Sequence, residues 1–95
     1  MVIVAGYLIV QPGERDDYVA AHADLVRRAR TYPGCFDLSI SADPVHPGRV
    51  NMYELWESEE ELEAWRKIAN PPETGSAFLD GQVQKHTISR SGPPF

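Results

Sequence analysis

The chain has 95 residues, a length that predicts one small domain over residues 1–95 and leaves no room for a second. Hydrophobic residues make up 42% and charged residues 24%, and nine basic against fourteen acidic side chains give a formal net charge of -5. Because no stripe of Lys and Arg is present, nucleic acid and anionic membranes are not expected as partners.

The first ten residues, MVIVAGYLIV, predict a buried strand over residues 2–10 that ends at Pro12-Gly13. The segment is too short to span a membrane, and it lacks the basic start of a signal peptide. Since the one cysteine, Cys35, also has no partner for a disulfide, the sequence predicts a cytoplasmic protein.

Residues 14–32 predict a single amphipathic helix, which ends at Pro33-Gly34. Acidic residues lead and arginines trail, as the helix dipole favours. The apolar stripe, at spacings of three and four, contains Tyr18, Ala21, His22, Leu25, Ala29 and Tyr32.

Residues 35–42 and 49–57 predict two strands of a hairpin, joined by a turn rich in chain breakers. Side chains of a strand alternate between the two faces of the sheet. In the second strand, one face therefore carries Met52, Glu54 and Trp56, and the other carries Asn51, Tyr53 and Leu55.

Ser58 predicts the start of a second helix, and Glu61 three residues later completes a capping-box pattern. The apolar stripe of this helix contains Leu62, Trp65, Ile68 and Ala69, and the prolines after Asn70 end it. A short turn is predicted over residues 75–80, followed by a fourth strand over residues 82–89.

The predicted order β-α-β-β-α-β indicates a ferredoxin-like α+β fold, with a four-stranded antiparallel sheet and both helices on one face. The other face is left bare, although the first strand is apolar on both sides and Tyr53 and Leu55 add to that face. A bare apolar face of this size rarely contacts water, so we expect a homodimer through the open sheet face.

The space between sheet and helices is the predicted location of any chemistry, because phosphate-binding and metal-binding motifs are absent. Met52, Glu54 and Trp56 face that space, with Trp65 and His22 contributed by the helices, and Phe36 is a further candidate. The alternative is a packed core, in which both tryptophans are anchors and His22 is a hydrogen-bonded core residue. Glu54 is either a general base whose pKa burial raises or the partner of an arginine.

The segment YELWESEEELEAW, residues 53–65, resembles the strand–helix signature of the antibiotic biosynthesis monooxygenase family. The turns at Pro12-Gly13 and Pro33-Gly34-Cys35 are similar to turns of that family. The resemblance implies a dimeric α+β barrel with one pocket in each protomer. It also implies cofactor-free oxidation of aromatic phenols to quinones with dioxygen, as in characterised members that act on polyketides.

Two departures from the family pattern limit what the resemblance implies. Trp56 matches the pocket tryptophan of the polyketide oxygenases, but Met52 replaces the asparagine that they carry four residues earlier, and Asn51 is expected to point away. Trp65 matches a tryptophan of the haem-degrading members. Gly6 and Gly75 fall where those members carry an asparagine and the haem-ligating histidine, so haem degradation is not expected.

The sequence therefore predicts a cofactor-independent monooxygenase that oxidises a small aromatic phenol or hydroquinone, with no cofactor and no metal. Glu54 and His22 are the predicted catalytic residues, and the predicted substrate-binding residues are Met52, Trp56, Trp65 and Phe78. One alternative is a non-enzymatic dimer that binds or senses a small molecule in the same pocket. A second is a fully packed domain whose only activity is self-association.

Overall fold

Four antiparallel strands form one sheet in the order β2-β3-β1-β4, and three helices lie on one of its faces. The computed structural model describes residues 1–95. This topology confirms the predicted ferredoxin-like α+β fold. The elements are β1 (Val2–Ile9), α1 (Pro12–Ala21), α2 (Ala23–Arg30), β2 (Cys35–Ala42), β3 (Arg49–Trp56), α3 (Glu59–Ile68) and β4 (Asp80–Thr87).

The covered face of the sheet carries the even-numbered side chains of β1 and β3. Val2 pairs with Trp56 and Val4 with Glu54, so these four residues lie side by side beneath the helices. Val2, Val4 and Trp56 are buried there. The main core cluster consists of Val2, Val4, Leu25, Ala29, Leu38, Trp56, Leu62, Trp65 and Ala69.

The opposite face of the sheet carries the odd-numbered side chains and has no helix over it. Ile3 pairs with Leu55 and Ala5 with Tyr53, which makes the centre of this face apolar. All four side chains are only half-buried. The prediction that helices cover one face of the sheet and leave the other bare is confirmed. The even-numbered residues of β3 lie on the covered face and the odd-numbered residues on the bare face, as predicted.

The predicted single helix over residues 14–32 is wrong, because the chain forms two helices that meet at His22. At this residue φ is -90° and ψ is 0°, which lies outside the helical region. The backbone N–H of His22 donates to the Val19 carbonyl at 3.1 Å, three residues back. The Tyr18 carbonyl, its usual partner four residues back, accepts instead from the His22 imidazole.

Three smaller predictions also need correction. Ser58 is the N-cap of α3 as predicted, but its hydroxyl donates to the Glu61 carboxylate, so the reciprocal bonds to backbone N–H groups are not formed. Phe36 is 56% exposed, because a bulge between Cys35 and Asp37 leaves it unpaired in β2. Residues 69–78 form no helical turn, and β4 begins at Asp80.

We expect Gly6→Ala to lower the free energy of unfolding by about 1–3 kcal/mol or more, as overpacking does. Gly6 lies between β3 and β4 with φ at 152°, and a Cβ there would be 1.8 Å from the Gln82 carbonyl oxygen. Denaturant unfolding measures the change. Gly13→Ala is the control, because a Cβ at Gly13 meets no atom within 4 Å. Equal stability of the two variants would contradict the close approach.

Candidate functional site

A cavity of about 210 Å³ lies between the covered face of the sheet and the helices. Its wall is mostly apolar with a few polar groups, which is the composition of small-molecule sites. The fully packed domain that the sequence left open is therefore disfavoured. The wall is formed by Tyr18, His22, Leu25, Leu38, Ser39, Ile40, Met52, Glu54, Trp65, Arg66 and Pro71.

His22 projects into this cavity from the junction of α1 and α2. Its side chain is 6% exposed, and its ring lies 4.3 Å from the Tyr18 ring, centroid to centroid. Nδ1 lies 2.7 Å from the Tyr18 carbonyl oxygen. Because a carbonyl oxygen only accepts, Nδ1 must carry the proton, and Nε2 of the neutral ring carries the lone pair.

The Nε2 atom of His22 is open to the cavity. It has no hydrogen-bond partner in the protein, yet no buried side-chain nitrogen or oxygen lacks a partner. Nε2 must therefore have accessible surface, and because His22 lines the cavity, we infer that Nε2 faces it. A fixed tautomer with an accessible lone pair is the arrangement that a general base requires.

Glu54 enters the cavity from β3, on the covered face of the sheet. Its Oε1 accepts a hydrogen bond of 2.9 Å from the Trp56 indole Nε1. Burial raises the pKa of Glu54, while the Trp56 hydrogen bond and the charge of Arg66 act in the opposite direction. Arg66 does not form a salt bridge with Glu54, and its guanidinium pairs with Glu63 at 3.2 Å.

The two tryptophans have different positions relative to the cavity. Trp65 lies in the wall, as the sequence predicted. Trp56 is 0% exposed and lies behind the wall, where its indole supports the Glu54 carboxylate. The two rings stack with centroids 6.3 Å apart, and the Arg28 guanidinium lies 5.6 Å from the Trp65 ring.

Met52 and Phe78, the other predicted substrate-binding residues, also differ in position. Met52 lies in the wall, next to Ile40 of β2. Phe78 is 57% exposed and lies outside the wall, where its ring meets the Tyr18 ring edge-on at 6.0 Å. Asn51 lies on the opposite face of β3, where it bonds to Asp43 and Arg49. It is therefore turned away from the cavity, as expected.

Sequence reasoning did not single out Tyr18 or Arg66 as wall residues. Tyr18 belongs to the apolar stripe of the first helix, and burial raises the pKa of its phenol. Arg66 follows Trp65 and stands four residues after Leu62, which places it at the edge of the apolar stripe of α3. This position could have indicated that Arg66 is a wall residue, but exposed arginines commonly occupy the edges of apolar stripes.

No three His, Cys, Asp or Glu side chains come together in an arrangement that could hold a metal ion. None of the helices has the length and apolar character needed to cross a membrane.

The fold and the cavity define a class of ferredoxin-like α+β proteins with a cavity between sheet and helices. A family model described as antibiotic biosynthesis monooxygenase matches residues 1–70. The chain therefore belongs to this family, which confirms the resemblance seen in residues 53–65.

Solved structures show the same fold at low identity. A Deinococcus radiodurans protein, assigned to the antibiotic biosynthesis monooxygenases, is 15% identical with a TM-score of 0.72, covering 100% of this chain and 99% of that one. A Chloroflexus aurantiacus protein of the same assignment is 20% identical with a TM-score of 0.69, covering 97% and 96%. A conserved Methanosarcina mazei protein is 18% identical with a TM-score of 0.74, covering 90% and 89%.

A curated relative, the uncharacterised Synechocystis protein sll1783, is 24% identical over 62 residues. The match covers 65% of this chain and 42% of that protein, so the chain spans less than half of the length of this relative.

We expect Glu54→Gln to gain stability relative to the wild type as pH rises. The pKa of Glu54 is raised in the folded protein, so its contribution to stability is full below the ordinary value of 4.5 and is lost as pH rises through the folded value. The glutamine of the variant does not titrate, and its side-chain oxygen can still accept from Trp56. Denaturant unfolding between pH 4 and pH 8 measures the difference.

Glu59→Gln is the control of opposite sign. The Glu59 carboxylate pairs with Lys85, which lowers the pKa of Glu59, so this variant is expected to lose stability relative to the wild type as pH rises. Parallel behaviour of the two variants would contradict the burial of the Glu54 carboxylate.

Proposed function

We propose that the cavity is the active site of a cofactor-independent monooxygenase that converts a small aromatic phenol or hydroquinone to a quinone with dioxygen. The observation that carries the proposal is His22 Nε2, an acceptor of fixed tautomer exposed to an apolar, aromatic-lined cavity. Family membership and the monooxygenase assignment of similar structures support the reaction class.

His22 and Glu54 have separate roles in the proposed reaction. Nε2 of His22 takes the phenolic proton, and the electron-rich ring carbon of the phenolate then forms a bond to dioxygen. Protonation of the resulting peroxide by the imidazolium gives a hydroperoxide. Glu54 removes the hydrogen on the same carbon as a proton, the O–O bond breaks, and hydroxide leaves. One oxygen atom stays as the quinone carbonyl, and the other departs as water once Glu54 returns its proton.

The apolar wall supports this chemistry in a second way. A phenolate carbanion is quenched by solvent protons, so excluding water from the ring preserves it for dioxygen. Leu25, Leu38, Met52 and Trp65 present apolar surface to the cavity. The raised pKa of Glu54 is also consistent with a carboxylate tuned for proton transfer.

A non-enzymatic binding or sensing role for the same cavity is the alternative. Met52 favours it, because this residue stands where the polyketide oxygenases of the family carry an asparagine. The two proposals differ in one observable: a binding protein is stabilised by an aromatic ligand and consumes no dioxygen.

Dioxygen consumption with a panel of small phenols and quinols of one ring or two fused rings tests the proposed activity. We expect turnover by the wild type and a fall of about 10²–10⁴-fold in His22→Ala, the usual contribution of a general base. Glu54→Gln is expected to fall as well. His46→Ala and Glu57→Gln are matched controls, because both side chains are exposed and lie outside the cavity wall. If both cavity variants turn over like their controls, the assigned roles are wrong.

We also propose that the open face of the sheet forms a homodimer. The apolar centre of this face, around Tyr53 and Leu55, supports the proposal because patches of this kind mark interfaces. Leu55→Asp is expected to convert a dimer to a monomer in light scattering, with the circular dichroism of the folded chain retained. Val45→Asp is the control, since Val45 is exposed in the β2–β3 turn. A wild-type monomer, or a dimer that survives Leu55→Asp, would exclude this interface.

A further inference from the structure

We propose that the ligand of the cavity carries a carboxylate that Arg66 binds, so that the substrate is a hydroxyaromatic acid of one ring or two fused rings. The inference rests on the proposed function only in taking the cavity as a substrate site. It adds a substrate class and a specificity-determining residue.

Arg66 is the cationic side chain of the cavity wall, and most of its donors are unused. Its only protein acceptor is Glu63, which Nη1 reaches at 3.2 Å. A guanidinium has five N–H donors in a planar fork, so Nε and Nη2 remain available. Such a fork matches the two oxygens of a carboxylate better than any other side chain does.

The charges inside the cavity leave Arg66 free for a ligand. Glu54 is the other charged wall residue, and its hydrogen-bond donor is the Trp56 indole. Arg66 acts on Glu54 through its charge alone, without an ion pair. A ligand carboxylate can therefore engage the guanidinium without breaking a bond inside the cavity.

The C-terminal end of α3 has its negative partial charge reduced, which favours binding of an anion nearby. The last carbonyls of a helix carry partial negative charge, which would repel a carboxylate placed near Arg66. The Ala69 carbonyl at this end is covered, because Arg28 Nη2 donates to it at 2.9 Å. The same Arg28 guanidinium lies over the Trp65 ring of the wall. Arg28 thus offsets part of the negative charge at this helix end.

The size of the cavity limits the number of rings. At about 210 Å³ it exceeds the roughly 150 Å³ of an engineered apolar cavity that accepts benzene. It is smaller than the roughly 300–1,000 Å³ of sites for drug-sized ligands. A single substituted ring, or two fused rings with small substituents, matches this volume better than a polyketide of three or more rings does.

Calorimetric binding of meta-hydroxybenzoate and its neutral isostere meta-hydroxybenzamide, without dioxygen, tests the inference. We expect the wild type to bind the acid about tenfold more tightly, a modest preference because Arg66 is 47% exposed and partly screened. Arg66→Gln is expected to abolish the preference, and Arg66→Lys to keep part of it. Arg27→Gln is the matched control, an exposed arginine outside the wall that also pairs with an acid.

Three outcomes would overturn the inference: equal affinity for acid and amide, a preference that survives Arg66→Gln, or no binding of either probe by the wild type at millimolar concentration. Its failure is distinguishable from that of the proposed function. If the protein binds the acid through Arg66 but consumes no dioxygen with any phenol, the oxygenase proposal is refuted and the ligand class stands. If the protein consumes dioxygen with neutral phenols and Arg66→Gln does not change the rate, the oxygenase proposal stands and the carboxylate-binding role of Arg66 is refuted.

Discussion

The hydrogen bond from the His22 imidazole to the Tyr18 carbonyl is the interaction on which the site depends. It replaces a backbone bond at the point where α1 ends and α2 begins, so it fixes the break between these helices. The same bond determines which ring nitrogen holds the proton, and it leaves the other open to the cavity. Tyr18 is held as a wall residue by the same contact, with its ring against the imidazole.

A carboxylate on the covered face of the sheet is the complementary constraint. Burying the charge of Glu54 is unfavourable unless the group is bonded or protonated. The Trp56 indole supplies one donor from a fully buried position, and the cavity leaves the rest of the group accessible. The raised pKa of Glu54 therefore follows from the placement of an acidic residue on the covered face, beside the cavity.

The faces of the strands could be predicted from the sequence, because alternation in β3 has a period of two and Trp56 marks the buried side. The break at His22 could not, since the apolar stripe continues through it and the competing bond is made by a side chain. The position of Phe36 depends on a bulge in β2. The bulge is visible in the pairing of β2 with β3 but not in the local sequence pattern. Trp56 and Trp65 look equivalent in the sequence, and only packing separates the buried support from the wall.

The protonation of the His22 ring nitrogens tests the central claim most directly. Long-range proton–nitrogen NMR spectra of protein with nitrogen-labelled histidine distinguish the two tautomers of each neutral ring. The bond to Tyr18 predicts that Nδ1 of His22 is protonated and that Nε2 has the shift of a bare nitrogen, which moves when a phenol is added. A proton on Nε2 with Nδ1 bare would contradict the bond, the origin of the helix break and the assignment of His22 as a base.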